Sequence, residues 1–136
     1  MKHYTLLYIL YVLLALPVLT ACQETLEERC EREAREFTEK KCPYRVNETT
    51  VMDSMSFDRA SLTLTYSYTL NGLLDDSAVV ARNSPHDLLL SELKNSTELR
   101  LYKEAGYNIR YTFLSASRKG RMLYDTTFKQ ADYARQ

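Results

Sequence analysis

Apolar positions recur at three different spacings along the chain. Tyr4 to Leu16 is a nearly unbroken apolar run. Between residues 24 and 41 the apolar residues are Leu26, Cys30, Ala34 and Phe37, a spacing that predicts a helix with a narrow greasy stripe and a wet circumference. From Thr49 the spacing falls to two. Val51, Met52, Met55 and Phe57 outline an irregular strand. Leu62, Leu64, Tyr66, Tyr68 and Leu70 then alternate with Thr63, Thr65, Ser67 and Thr69, which predicts a half-buried strand with one hydroxyl-bearing face. Phe57–Ala60 is short enough to join these two strands as a hairpin, and Asn71-Gly72 ends the second.

Helical spacing returns over residues 75–105. Asp76 or Ser77 caps a short piece through Val80. Ser84-Pro85-His86-Asp87 reads as a helix start with Leu88, Leu89 and Leu93 facing inward, and Thr97–Ala105 adds a last turn or two before Gly106. Two further alternations follow, Tyr107/Ile109/Tyr111/Phe113 and Met122/Tyr124/Thr126/Phe128, joined by a turn over Ser115–Gly120. Ala131–Gln136 reads as a loose tail. The expected order is therefore α-β-β-α-β-β. The expected fold is a two-layer α+β domain, a four-stranded antiparallel sheet of two hairpins with helices on one face.

Charge supports the first helix. Glu24, Glu27 and Glu28 lie in its first turns and Lys40 and Lys41 in its last, each sign at its favoured dipole end. Glu28–Arg32, Glu31–Arg35 and Glu36–Lys40 have the spacing and order of helix ion pairs. Pro43 closes the helix, because the residue before proline avoids helical backbone.

The N-terminus has the form of an export signal: Lys2 and His3, the apolar run, Pro17, then Leu19-Thr20-Ala21-Cys22. Those last four residues resemble the lipobox of bacterial lipoproteins. The resemblance implies a signal peptide of residues 1–21, lipidation of Cys22, and a mature α+β domain over residues 22–136 with its N-terminal helix at about 24–41. A diacylglycerol thioether with an N-acyl chain would anchor the protein stably where a single chain would not. Gln23 stands where aspartate would signal inner-membrane retention, which favours the outer membrane.

The whole chain of 136 residues carries 18 basic and 18 acidic residues and is 45% hydrophobic, the balance of one ordinary globular domain. Net neutrality gives no general attraction for phosphate backbones, so nucleic acid is not an expected partner. Cys30 and Cys42 would share an oxidising compartment. On one continuous helix their twelve-residue separation is about 18 Å, far beyond disulfide reach. Either the helix breaks between them or they do not pair, and Cys30 on the apolar stripe reads as a small buried hydrophobe.

Leu62–Leu70 (LTLTYSYTL), Leu93–Gly106 (LKNSTELRLYKEAG) and Ile109–Tyr111 resemble a small envelope domain of many secreted bacterial proteins and lipoproteins with no assigned activity. That group often has cysteines near the positions of Lys94 and Tyr133. Neither is cysteine here, so the C-terminal strand is expected to rely on packing.

Candidate chemistry is sparse. His86 is the one histidine beyond the signal segment and reads as an exposed helix-start residue. Gly-x-Ser-x-Gly, His-Glu-x-x-His, Walker and Rossmann patterns are absent from the sequence. Asn71, Asp75 and Asp76 match no calcium loop. No catalytic, cofactor-binding or metal residue is assigned and no cofactor is expected. The tyrosines read as core residues with hydroxyls at the sheet margin, or as the lining of a glycan or peptide groove. The hydroxyl-bearing faces (Thr63, Thr65 and Ser67 with Thr112 and Thr127) could lie side by side as a flat wet surface. Asp53-Ser54-Met55, Asp76-Ser77-Ala78 and Asp125-Thr126-Thr127 resemble O-glycosylation acceptors of Bacteroidetes. The expected function is that of a non-catalytic, membrane-anchored envelope lipoprotein that binds or scaffolds a protein or glycan. A small inhibitor or immunity-type lipoprotein is the alternative, and a carboxylate-dependent hydrolase comes third.

Overall fold

The computed structural model describes residues 23–134. Residues 1–22, which include the expected signal peptide and the expected lipidation residue Cys22, lie outside the described residues. Helix α1 (Leu26–Lys41) opens with a capping box: Thr25 Oγ1 accepts the Glu28 N–H at 3.2 Å, and the Glu28 carboxylate accepts the Thr25 N–H at 3.0 Å. That use of Glu28 removes the expected Glu28–Arg32 pair. Arg32 instead binds Glu24 through two bonds of 2.7 and 3.0 Å, and Glu31 leaves Arg35 for Arg59. The Glu36–Lys40 pair forms at 3.1 Å. Cys30 and Ala34 are buried beneath α1, and Cys42, with extended backbone before Pro43, ends it.

The sheet has five strands in the order of the chain: β1 (Tyr44–Asn47), β2 (Thr50–Asp58), β3 (Thr63–Leu70), β4 (Asn108–Ser115) and β5 (Met122–Phe128). The expected four-stranded antiparallel sheet is corrected in two respects. An extra edge strand, β1, precedes the first hairpin. The two hairpins, β2–β3 and β4–β5, are joined by a parallel β3–β4 pair running from Thr63↔Asn108 to Leu70↔Ser115, so the sheet is mixed. The cause is the connection over residues 71–107, which carries the chain back along the sheet, so that β4 enters from the same end as β3.

That connection holds a 3-10 turn (Gly72–Leu74) and helices α2 (Ser77–Arg82), α3 (Pro85–Asn95) and α4 (Arg100–Glu104). The element order is thus more broken than the expected α-β-β-α-β-β. Asp76 caps α2 by accepting the Ala78 and Val79 N–H groups. Pro85 is the first residue of α3 as expected. Ser84, however, makes no side-chain cap and sits in left-handed backbone at φ 47°. Gly106, at φ 78°, lets the Tyr107 N–H return to the Tyr102 carbonyl at 3.0 Å and end α4. The expected loose tail is instead partly helical. Helix α5 (Gln130–Tyr133) buries Tyr133, whose hydroxyl donates to the Tyr107 carbonyl at 2.7 Å.

One sheet face carries the core. Leu64, Ile109, Tyr111 and Phe128 pack with Cys30 and Ala34 of α1, Leu93 of α3, Leu99 and Tyr102 around α4, and Tyr133 of α5. Rings stack in neighbouring pairs across β3 and β4, Tyr66 on Tyr111 at 5.4 Å and Tyr68 on Phe113 at 5.0 Å. A smaller cluster of Leu70, Val80 and Leu123 lies at the other end of the sheet. Leu123 there corrects the expected phase of β5. It is buried and Met122 is exposed, because the ladder skips from Phe113↔Tyr124 to Leu114↔Met122.

Candidate functional site

The end of the sheet where β2 begins and β3 ends is incompletely covered. Gly72, at φ 59°, turns the chain after β3, and α2 and α3 then rise beside the sheet and leave a groove of about 410 Å³. Leu70 and Phe113 of the sheet, with Leu74, Val80, Pro85 and Leu88, supply its apolar lining. This lies within the ~300–1,000 Å³ range of ligand-binding clefts. Thr50 and Asn83 are the polar residues of the lining, and no charged side chain joins them. The Asn83 amide N–H donates to the Val79 carbonyl at 3.0 Å, which leaves its amide oxygen as an acceptor.

Leu88 corrects the expectation that it faces inward. It is 60% exposed at the groove wall, and Leu73 on the adjacent 3-10 turn is 85% exposed. Three consecutive leucines, Leu88-Leu89-Leu90, turn through about 100° per residue on a helix, so they cannot all share one face. That run was the sequence signal for an apolar surface here. The remaining lining residues come from four separate segments, and sequence reasoning did not bring them together.

The opposite face of the sheet is the wet surface that strand alternation pointed to. Thr63, Thr65, Ser67 and Thr127 stand half-buried or exposed on its strands, whereas Thr112 between them is buried and donates to Ser67 Oγ at 3.1 Å. Arg110 grips Asp125 through bonds of 2.9 and 2.7 Å, and this pair holds the Asp125 carboxyl below its usual range. A shallow depression of about 340 Å³ surrounds the pair, edged by Asp58, Ser61 and the threonines. Of the tripeptides resembling glycosylation acceptors, Asp53 accepts a hydrogen bond from Thr69 at 2.7 Å, Asp125 is tied to Arg110, and Asp76 caps α2.

A smaller hollow of about 120 Å³ lies between α1 and the sheet, lined by Cys30, Glu33, Tyr66, Glu98 and Tyr102 among others. Burial pushes Glu33 up, but the 2.6 Å bond from the Tyr102 hydroxyl and the Arg29 ion pair outweigh it, so the net shift is downward. Glu24, Glu36, Asp58, Asp75 and Asp125 also shift downward. Burial raises the phenols of Tyr66 and Tyr111 and moves Tyr68 up to about 12, as expected of rings packed in a core.

His86 stands exposed on the first turn of α3, 3.1 Å from Asp87, with its ring 5.1 Å from that of Phe128. Asp75 accepts the Ser117 N–H at 2.8 Å. Among the described residues no group of His, Cys, Asp and Glu side chains is arranged to hold a metal ion. Cys30 and Cys42 are both free, Cys30 buried and Cys42 half-buried.

The chain belongs to the family described as a domain of unknown function, DUF8479, which matches residues 25–124. No curated protein matches the sequence. Two solved structures share the fold. One is a protein of Pseudomonas aeruginosa described as secreted, with a TM-score of 0.63 at 11% identity, covering 82% of this chain and 99% of that one. The other is the pilotin EpsS of the Vibrio vulnificus type 2 secretion system, with a TM-score of 0.58 at 12% identity, covering 81% and 93%. At these identities the likeness is one of fold.

Proposed function

We propose that this chain is a lipid-anchored, non-catalytic module of the bacterial cell envelope that binds a protein partner through the groove between α2, α3 and the sheet. The observation that carries the reading is the uncharged apolar lining with Leu88 exposed at its wall. Aliphatic surface left in water beside an open groove marks a contact site. The fold shared with a pilotin supports an envelope protein as the partner. The lipobox-like Leu19-Thr20-Ala21-Cys22 supports the anchor. Leu73, exposed on its turn next to the groove, favours the inhibitor or immunity-type lipoprotein as the second reading, since a protruding apolar residue suits the blocking of another protein.

The anchor is tested by labelled palmitate, which should enter the protein and be lost in Cys22→Ala. The groove is tested with a photo-cross-linking residue at position 88 or, on the wet face, at position 65, in cells expressing the lipoprotein. The expected result is one discrete adduct from position 88, absent from position 65 and abolished by Val80→Asp in a protein that still folds. Equal adducts from both positions would overturn the groove as the binding site.

A further inference from the structure

We infer that the groove stands at the membrane-distal end of the anchored chain, where it takes an uncharged aliphatic segment that a protein partner supplies from the aqueous side. The inference rests on the anchoring proposed above. Its first support is the direction of α1. Glu31 reaches Arg59 in the turn after β2, Thr38 binds Met55 within β2, and β1 then pairs Tyr44 with Met52. Helix α1 therefore starts beside the β2–β3 turn and ends near the start of β2. The groove is lined by Thr50 and Leu70, the first residue of β2 and the last of β3. From Thr63 to Leu70 the strand rises about 23 Å. The groove and the start of α1 thus occupy opposite ends of the sheet.

The second support is a tether that is short and already engaged. Gln23, Glu24 and Thr25 alone separate Cys22 from Leu26, and those four steps span at most about 14 Å. Glu24 is held by both of its bonds to Arg32, and the Thr25 N–H is held by Glu28. A lipid at Cys22 would therefore be held within one short span of the start of α1, at the end of the sheet opposite the groove.

The chemistry of the lining defines the occupant. No charged side chain borders the groove, so a charged segment entering it would lose hydration without a partner. Thr50 and the free Asn83 oxygen offer only two polar contacts. An aliphatic stretch of a protein in the aqueous phase fits this lining and this placement. A segment embedded in the bilayer would have to cross the length of the sheet.

The test uses the lipidated full-length protein in liposomes containing a headgroup-nitroxide lipid. Leu88→Cys and Ala60→Cys, each in a Cys42→Ser background that folds as shown by circular dichroism, carry a thiol-linked fluorophore. Cys30 is buried and stays unlabelled. The expected result is strong loss of fluorescence at position 60, in the turn beside the tether, and none at position 88. Equal loss at both, or greater loss at 88, would overturn the inference and assign the exposed leucines to the bilayer. Failure of the protein to float with the liposomes would overturn the anchoring reading itself, a distinct outcome.

Discussion

The hydroxyl of Thr38 on α1 donates to the Met55 carbonyl at 2.7 Å and accepts the Met55 N–H at 2.8 Å. Both backbone groups lie on β2 beyond the last residue paired with β1. A single side chain thus closes the β2 edge where the short edge strand stops, and protects it from pairing with another chain. Thr38→Val keeps the shape and removes both bonds. Leaving two half-buried backbone groups unmet should cost about 1–3 kcal/mol in urea denaturation, and Thr38→Ser should recover much of it. No change in Thr38→Val would mean that water replaces the hydroxyl freely.

Helix α5 locks the start of β4 through the Tyr133 hydroxyl and the Tyr107 carbonyl. Tyr133→Phe removes that bond and the longer 3.5 Å one to the Lys103 carbonyl but keeps the ring, and should lower stability by about 1 kcal/mol. Tyr133→Ala also removes a ring from the main core and should cost about 3 kcal/mol or more. Thermal melts of the two variants that coincide with wild type would return this segment to the status of a tail.

The pattern of residues revealed those parts of the fold whose cause is local. The stripe Leu26, Cys30, Ala34, Phe37 placed α1 to within two residues at its start, and the Leu62–Leu70 alternation gave β3 and its hydroxyl face. The bulges escaped the pattern. One between Met52 and Ser54 lets Met52 and Met55 serve the same face despite their odd spacing, and that made β2 look irregular. Strand β1 is four residues long and exposed throughout, too short for its Tyr44/Val46 alternation to stand out. The parallel β3–β4 pair was hidden for another reason. A strand shows the same period of two whichever way its neighbour runs, so direction depends on where the connecting helices return the chain. The groove was illegible because its walls meet only after that return.

The two thiols should differ sharply in reactivity. Burial pushes Cys30 up to about 12 and removes it from contact with water, whereas Cys42 is half-buried at the end of α1 and burial raises it too. Thiolate is the reactive form, so both are slow, with Cys30 inert. An alkylating reagent at neutral pH should modify Cys42 in the folded protein and Cys30 only in denaturant, as read by peptide mass. Because α1 is continuous from Leu26 to Lys41, mild oxidation of the soluble domain should leave no internal disulfide. A Cys30–Cys42 cross-linked peptide would require α1 to unwind.

The Arg110–Asp125 pair on the wet face gives acid sensitivity a defined origin. Its hydrogen bond and charge lower the Asp125 pKa from 3.8 in the folded chain, so as pH falls the unfolded chain takes up the proton first. The pair's contribution is therefore complete above about pH 4 and is lost as the pH falls through the lower folded value. Both side chains are more than a third exposed, and solvent screening holds that contribution to about 1 kcal/mol or less. Asp125→Asn should lower stability slightly at pH 7 and flatten its decline below about pH 4. Raised salt should shrink the wild-type difference in the same direction, because the pair is exposed to screening ions. Parallel acid curves for wild type and Asp125→Asn would show that the decline comes from other carboxylates with lowered pKa, among them Glu33, which the Tyr102 hydroxyl and Arg29 hold down against the upward push of burial.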